Sequence, residues 1–216
     1  MLRVEFHCHT IHSKDCLISL DRLLDTCRNK EIHRIVITDH NTIEGAVLAH
    51  RLDPKRVIVG EEIMTQTGEL LATYVTEEIP PGLPPIEVIS RLREQEAFIT
   101  ISHPFDRFRS GGWRLTDLIR ISPLVDAIET FNARNMWPGS NPRAKKFADE
   151  NHISNIVGSD AHSHSEVGKA TMILPDFQDT GSLRQALHQA RIKTSHSKPW
   201  VHLFSRYAVW RKKVRR

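Results

Sequence analysis

Six short apolar runs of this 216-residue chain each end in histidine or carboxylate: 7-HCH-9, 39-DH-40, 60-GEE-62, 102-SHP-104, 129-ETFN-132 and 159-SDAH-162. Imidazoles and carboxylates are the donors that hold divalent cations. His7 and His9 stand two apart, so on a strand both rings leave the same side and can chelate one cation. An HxH by itself is weak, but His40, Glu62, His103, Asp160 and His162 recur at successive run ends, with Asp15 between the first two. A carboxylate can bridge two cations where an imidazole serves one, so Glu62 among histidines points to a multinuclear site. Asp39 precedes His40 and either caps the next helix or orients that imidazole.

Residues 3–7, 34–38, 56–60, 98–102, 125–129 and 155–159 read as strands, and 170–174 as a seventh. Between them, apolar residues at three- and four-residue spacing predict helices over 19–30, 42–52, 85–96, 114–120, 142–151 and 182–192, with Ser19, Thr42 and Ser182 as N-caps. Strand followed by helix, repeated, argues for a parallel sheet. An open sheet gathers function at one switch point, whereas here nearly every strand end contributes, so a closed barrel of about seven units is expected. Residues 66–85 read as an insertion-like hairpin with a Pro-rich loop on the ligand face.

Taken together, 7-HCHT-10, 38-TDHN-41, 60-GEE-62, 102-SHP-104 and 159-SDAH-162 resemble, in order, the motifs of the polymerase-and-histidinol-phosphatase (PHP) family over residues 3 to 175. The resemblance implies a distorted (β/α)7 TIM-like barrel with two to three divalent ions (Mn, Zn, Fe or Mg) at the carboxyl ends of the strands, and hydrolysis of phosphate esters by a metal-bound hydroxide. Carried over by motif, His7, His9, Glu62 and Asp160 form the first metal set. Glu62 bridges to a second metal that also takes His103, and Asp15, His40 and His162 form the third set. The chain departs from the family pattern at 68-GELL-71, where Glu69 stands in place of a histidine. Either Glu69 supplies an oxygen, favouring Mn or Mg over Zn, or the second site binds weakly; the first is the expectation.

No nucleophile elbow competes around Ser13, Ser102 or Ser159. Beside Glu62, Asp39 and His164 are candidates to protonate the leaving group. For the substrate phosphate the candidates are Arg134 with Asn132, both in 131-FNARN-135 at the end of the fifth strand, then Lys14, Lys169, Arg107 and Arg109. An amidohydrolase acting on C–N bonds would show a bridging Lys in the place of Glu62, and a non-catalytic metal-binding module would have shed ligands.

The net charge of +4 is concentrated in residues 206–216, which carry Arg and Lys with Tyr207 and Trp210 and no acid. Residues 1–200 are therefore read as the catalytic domain and 201–216 as a basic tail able to attract nucleic acid. The tail tilts toward an oligonucleotide end, but with no accessory domain to track a strand and no evident aromatic stacking platform, a small phosphorylated metabolite or nucleotide is the first substrate class and an oligonucleotide end the second. No run suffices to span a membrane and no signal-peptide profile is seen, so a cytoplasmic location is expected. Cys8, Cys16 and Cys27, odd in number and without a CxxC pair, are expected to be reduced and structural.

Overall fold

The computed structural model describes residues 1–106, 109 and 111–214. Nine strands form one mixed sheet: β1 (Leu2–Cys8), β2 (Arg34–Ile37), β3 (Val57–Met64), β4 (Glu69–Thr73), β5 (Phe98–Ile101), β6 (Ala127–Asn132), β7 (Ser154–Gly158), β8 (Ala170–Leu174) and β9 (Arg191–Thr194). Their order is β7-β6-β5-β4-β3-β2-β1-β8-β9. The sheet curls until its two ends nearly meet. Asp160 N–H donates to the His7 carbonyl (2.8 Å) and His9 N–H to the Ala161 carbonyl (3.0 Å), so the segment after β7 docks on the carboxyl end of β1. β8 takes the amino-terminal half of the same β1 edge, antiparallel.

The architecture is therefore a nearly closed α/β barrel, but not an all-parallel one. β1, β2 and β3 run parallel, as do β5, β6 and β7, while β4 is antiparallel to both β3 and β5. The 66–85 segment is thus not an insertion. Every residue of β4 is buried, so its apolar side chains belong in the wall of the barrel, and only the turns around it are loop. The expected helix over 182–192 is likewise corrected. Helix α6 stops at Leu187 and the chain turns into β9, an exposed edge strand paired with β8. Its N-cap is Asp179, which opens a capping box in which the expected cap, Ser182, is N3.

The other helices are α1 (Leu20–Asn29), α2 (Glu44–Leu52), α3 (Pro85–Glu94), α4 (Leu115–Ile121), α5 (Ser140–Glu150) and α7 (Val201–Val214), with α6 spanning Thr180–Leu187. The two-residue strand period divides the side chains between two faces. Ile35, Ile37, Ile99, Ile101 and Ile128 pack on helices: α1 and α2 on one side, α3 to α5 on the other. The alternate face carries Val36, Ile58, Phe98 and Ile156, joined by Phe177 and by Leu183 and Ala186 of α6. Further along the strands this same face turns polar, through Thr38, Glu62, Ser102 and Glu129. No helix among the described residues is long and apolar enough to cross a membrane.

Candidate metal centre

All nine expected ligand residues meet at the rim where the parallel strands end, Asp15 reaching it from a loop and Glu69 from the amino end of antiparallel β4. Around the first set, His7 Nε2 lies 3.1 Å from His9 Nε2, Glu62 Oε2 lies 3.3 Å from both, and Asp160 Oδ1 lies 3.7 Å and 3.3 Å from them. Beside it, His103 Nε2 is 3.0 Å from Glu62 Oε1 and 3.5 Å from Glu69 Oε2. His40 Nδ1 is 3.1 Å from Glu62 Oε2, and His162 Nε2 is 3.1 Å from Asp15 Oδ2. Glu62 therefore presents one oxygen to His7, His9 and His40 and the other to His103, the posture of a carboxylate shared between two cations. Three groups of donors are tight enough to hold an ion: His7/His9/Glu62, His9/His40/His162 and His40/Glu62/Glu69.

The surrounding hydrogen bonds decide which atoms face the centre. His7 Nδ1 donates to Glu129 Oε1 (2.9 Å) and His162 Nδ1 to the Asp160 carbonyl (2.8 Å). Ser13 Oγ donates to Asp39 (2.8 Å), which leaves it to accept from His9 Nδ1 at 3.0 Å. With their protons on Nδ1, the three rings aim Nε2 lone pairs inward. These face carboxylate lone pairs, and Glu62 Oε2, Asp160 Oδ1 and His162 Nε2 are buried without a hydrogen-bond partner. Acceptors crowded against acceptors are relieved by a shared proton or by a cation between them, and a donor set of imidazoles and carboxylates fits the ions.

The electrostatics agree. Burial opposes ionisation of Glu62, yet the imidazoles of His7 and His40 hold its carboxyl well below the ordinary range. His7 itself resists charge through burial, but Glu62, Asp160 and Glu129 raise its pKa, a proton serving where an ion would. Burial and the neighbouring Glu62 push Glu69 upward, a penalty that a nearby cation removes.

Several expected residues stand elsewhere than expected. Asp39 is fully buried and accepts from Thr10 N–H (2.6 Å), Thr10 Oγ (2.5 Å) and Ser13 Oγ, so it holds the loop under His9 and does not reach the substrate side. His164 is exposed in a neighbouring cavity lined by Trp200 and Phe204, which touches the cluster only through His162. Asn132, fully buried, donates to Glu129 Oε2 and Asp160 Oδ2, both at 3.1 Å, which makes it a support for ligands. Arg134 lines the mouth but is tied to Glu166 (3.2 Å) and Ser205 Oγ (2.9 Å). Lys14 lines the mouth; Lys169 does not. Arg107 lies outside the described residues. Arg109 reaches the cluster, donating to Asp160 Oδ2 and, at 3.2 Å, to His103 Nε2.

The sequence reading missed Glu129, which supports His7 and also accepts from His103 N–H at 2.8 Å. ETFN reads as substrate-side through Asn132, although a carboxylate on the inward face of its strand is signal enough for a ligand support. The sequence reading also missed helix α7, whose His202, Ser205 and Arg206 line a cavity of about 390 Å³ over the cluster. A larger cavity of about 790 Å³ sits at the amino ends of β1 to β3 and contains none of the donors.

Comparison with known proteins follows this geometry. An uncharacterized protein of Methanocaldococcus jannaschii, MJ0417, is 34% identical over 201 residues, covering 89% of this chain and 81% of that one. The PHP-associated family PHP_C matches residues 138–192. The chain belongs to the PHP family. Among solved structures, a two-domain protein of Bacteroides vulgatus containing a predicted PHP-like metal-dependent phosphoesterase superposes with a TM-score of 0.72 at 18% identity, covering 90% of this PHP chain and 65% of that one. An amidohydrolase of Chromobacterium violaceum superposes with a TM-score of 0.63 at 14% identity, covering 88% and 97%. These last two share the PHP chain's fold.

Proposed function

We propose that this PHP protein is a metal-dependent phosphoesterase that hydrolyses a small phosphorylated metabolite or nucleotide. The observation that carries the metal reading is the ring of inward-facing donor atoms of His7, His9, Glu62 and Asp160, in which Glu62 Oε2 and Asp160 Oδ1 are buried without a hydrogen-bond partner. Hydrolysis of phosphate is the chemistry named in the Bacteroides relative. His7, His9, Glu62 and Asp160 would hold one ion, Glu62 with Glu69 and His103 a second, and Asp15, His40 and His162 a third. Such ions supply a water with its pKa lowered to about 7 and positive charge for the in-line displacement.

The chain's own groups do the positioning. Glu129, Ser13 and the Asp160 carbonyl fix the imidazole tautomers, and Asn132 and Asp39 hold those supports in place. Arg109, beside Asp160 and His103, is placed to take a phosphoryl oxygen. A bridging Glu62, where a C–N hydrolase reading expects Lys, keeps the amidohydrolase alternative second.

The oligonucleotide-end reading gains one observation: helix α7 exposes Phe204, Tyr207 and Trp210 along with Arg206, pairing stacking surfaces with positive charge. Phosphate release should be measured in Mn-supplemented buffer against phosphorylated metabolites and short 5′-phosphorylated oligonucleotides, with Glu62→Gln alongside. Turnover that survives in Glu62→Gln, or is absent on every phosphate ester, rejects the reading. Oligonucleotide affinity falling steeply with salt, with a metabolite's unmoved, favours the second substrate class.

A further inference from the structure

The carboxyl-terminal helix is built into the substrate cavity. Val201 and Ala208 of α7 are buried, Arg134 Nη2 donates to Ser205 Oγ (2.9 Å), and Lys212 Nζ donates to the carbonyls of Ile11 and Ser13. So clamped, the helix turns His202, Ser205 and Arg206 toward the space over the metal-ligand cluster.

The cations around this space divide in two. Arg109 is engaged by Asp160 and Asp106 (3.2 Å), and Arg134 by Glu166 (3.2 Å). Lys14 and Arg206 are exposed, line the same cavity, and make no ion pair among the described residues. Half-buried His202 stands in the resulting positive field: burial, then Arg134 and Arg109, hold its pKa below the ordinary value, so it adds no competing charge. Arg109, held by Asp160, is the cation that stands beside a phosphoryl group at the cluster. Lys14 and Arg206 are left over, in a cavity of about 390 Å³ sized for a small molecule.

We propose that α7 is the specificity wall of the cavity and that Arg206, with Lys14, binds a second anionic group of the substrate, remote from the phosphoryl at the cluster. The inference rests on the phosphoesterase reading and narrows it: the substrate is a small phosphate ester that also bears a phosphate or a carboxylate. A guanidinium pairs with either group through two parallel N–H donors.

The test is equilibrium binding to the Mn-loaded full chain, by calorimetry, of three probes that cannot be hydrolysed: propylphosphonate, phosphonobutyrate and butylene bisphosphonate. The expected result is a Kd lower by about tenfold or more for at least one two-anion probe than for propylphosphonate, an increment typical of one charge-assisted contact. Which of the two binds tighter identifies the second group as carboxylate or phosphate. Arg206→Gln should collapse that preference, and Lys14→Gln should reduce it. Arg211→Gln, which removes the same charge from the same helix away from the cavity, should keep it. Equal Kd values for all probes, a preference that survives Arg206→Gln, or equal loss in Arg211→Gln overturns the proposal, as does failure of both two-anion probes to bind. Turnover of p-nitrophenyl phosphate in parallel separates this failure from that of the phosphoesterase reading, which requires turnover but no second anion.

Discussion

At the residue scale the centre depends on supports as much as on ligands. Glu129 accepts from His7 Nδ1 and His103 N–H and from Asn132, so it sets one ring and one backbone amide at once. Losing such an orienting carboxylate commonly costs about 10- to 100-fold in metal affinity. Glu129→Gln should therefore weaken Mn or Zn binding by that factor while far-ultraviolet circular dichroism is unchanged; unaltered affinity in competitive titration would remove Glu129 from this role. The three cysteines behave otherwise. All are free and buried, and burial pushes the Cys27 thiol from 9.0 up to about 12. The folded protein keeps that proton while the unfolded chain loses it above pH 9, so Cys27 opposes unfolding at neutral pH no more than at pH 8, and its contribution is lost as pH climbs from about 9 toward about 12. Iodoacetamide at pH 8 should leave all three thiols unmodified in the native state and alkylate them in urea, as mass spectrometry would read.

At the element scale, strand ends must approach one another closely. A Cβ on Gly158, the last residue of β7, would stand 2.4 Å from both His7 Cβ and Glu129 Oε1. Neither neighbour can give way, since their mutual hydrogen bond sets the His7 ring. Gly158→Ala should cost about 1–3 kcal/mol in urea unfolding, as overpacking does, and should lower metal affinity along with stability. An undiminished midpoint would show that β1 and β7 are not so tightly apposed. Directly beyond, Asp160 adopts φ 52°, a left-handed conformation that Asp tolerates better than most residues, and this brings its N–H to the His7 carbonyl. Antiparallel β4 has a similar consequence: it enters the barrel wall carrying Glu69 at its first residue, which places that carboxylate 3.5 Å from His103.

At the scale of the whole molecule, four carboxylates, Asp15, Glu62, Glu69 and Asp160, converge where the barrel opens, and the burial of Glu69 against Glu62 is a cost that bound cations relieve. Stability should therefore rise with metal concentration by mass action, by about 2.7 kcal/mol at a hundredfold excess over Kd. Thermal unfolding should shift upward with added Mn or Zn and downward after chelation, and a midpoint indifferent to both would count against the centre.

Much of this was legible in the sequence because metal donors are chemically distinctive and strands have a period of two. HCH, GEE and SDAH declared their residue types, and the apolar runs before them declared the strands that carry them. Glu69 could be flagged only as a departure, since its distance from His103 depends on a hairpin that reads as loop-like when isolated. Asp39, Asn132 and Arg134 were drawn to the substrate by their types. Tertiary hydrogen bonds instead commit the first two to supporting ligands and clamp Arg134 to Glu166 and α7.

The sequence alone thus determined the candidate donors and an α/β barrel to gather them, because both are written in residue type and local spacing. The tertiary structure decided the mixed strand directions, the proton positions on the histidines and the wall made by the carboxyl-terminal helix. Each of those depends on contacts between residues far apart in the chain, such as Lys212 with Ile11 and His7 with Glu129, for which local periodicity holds no record.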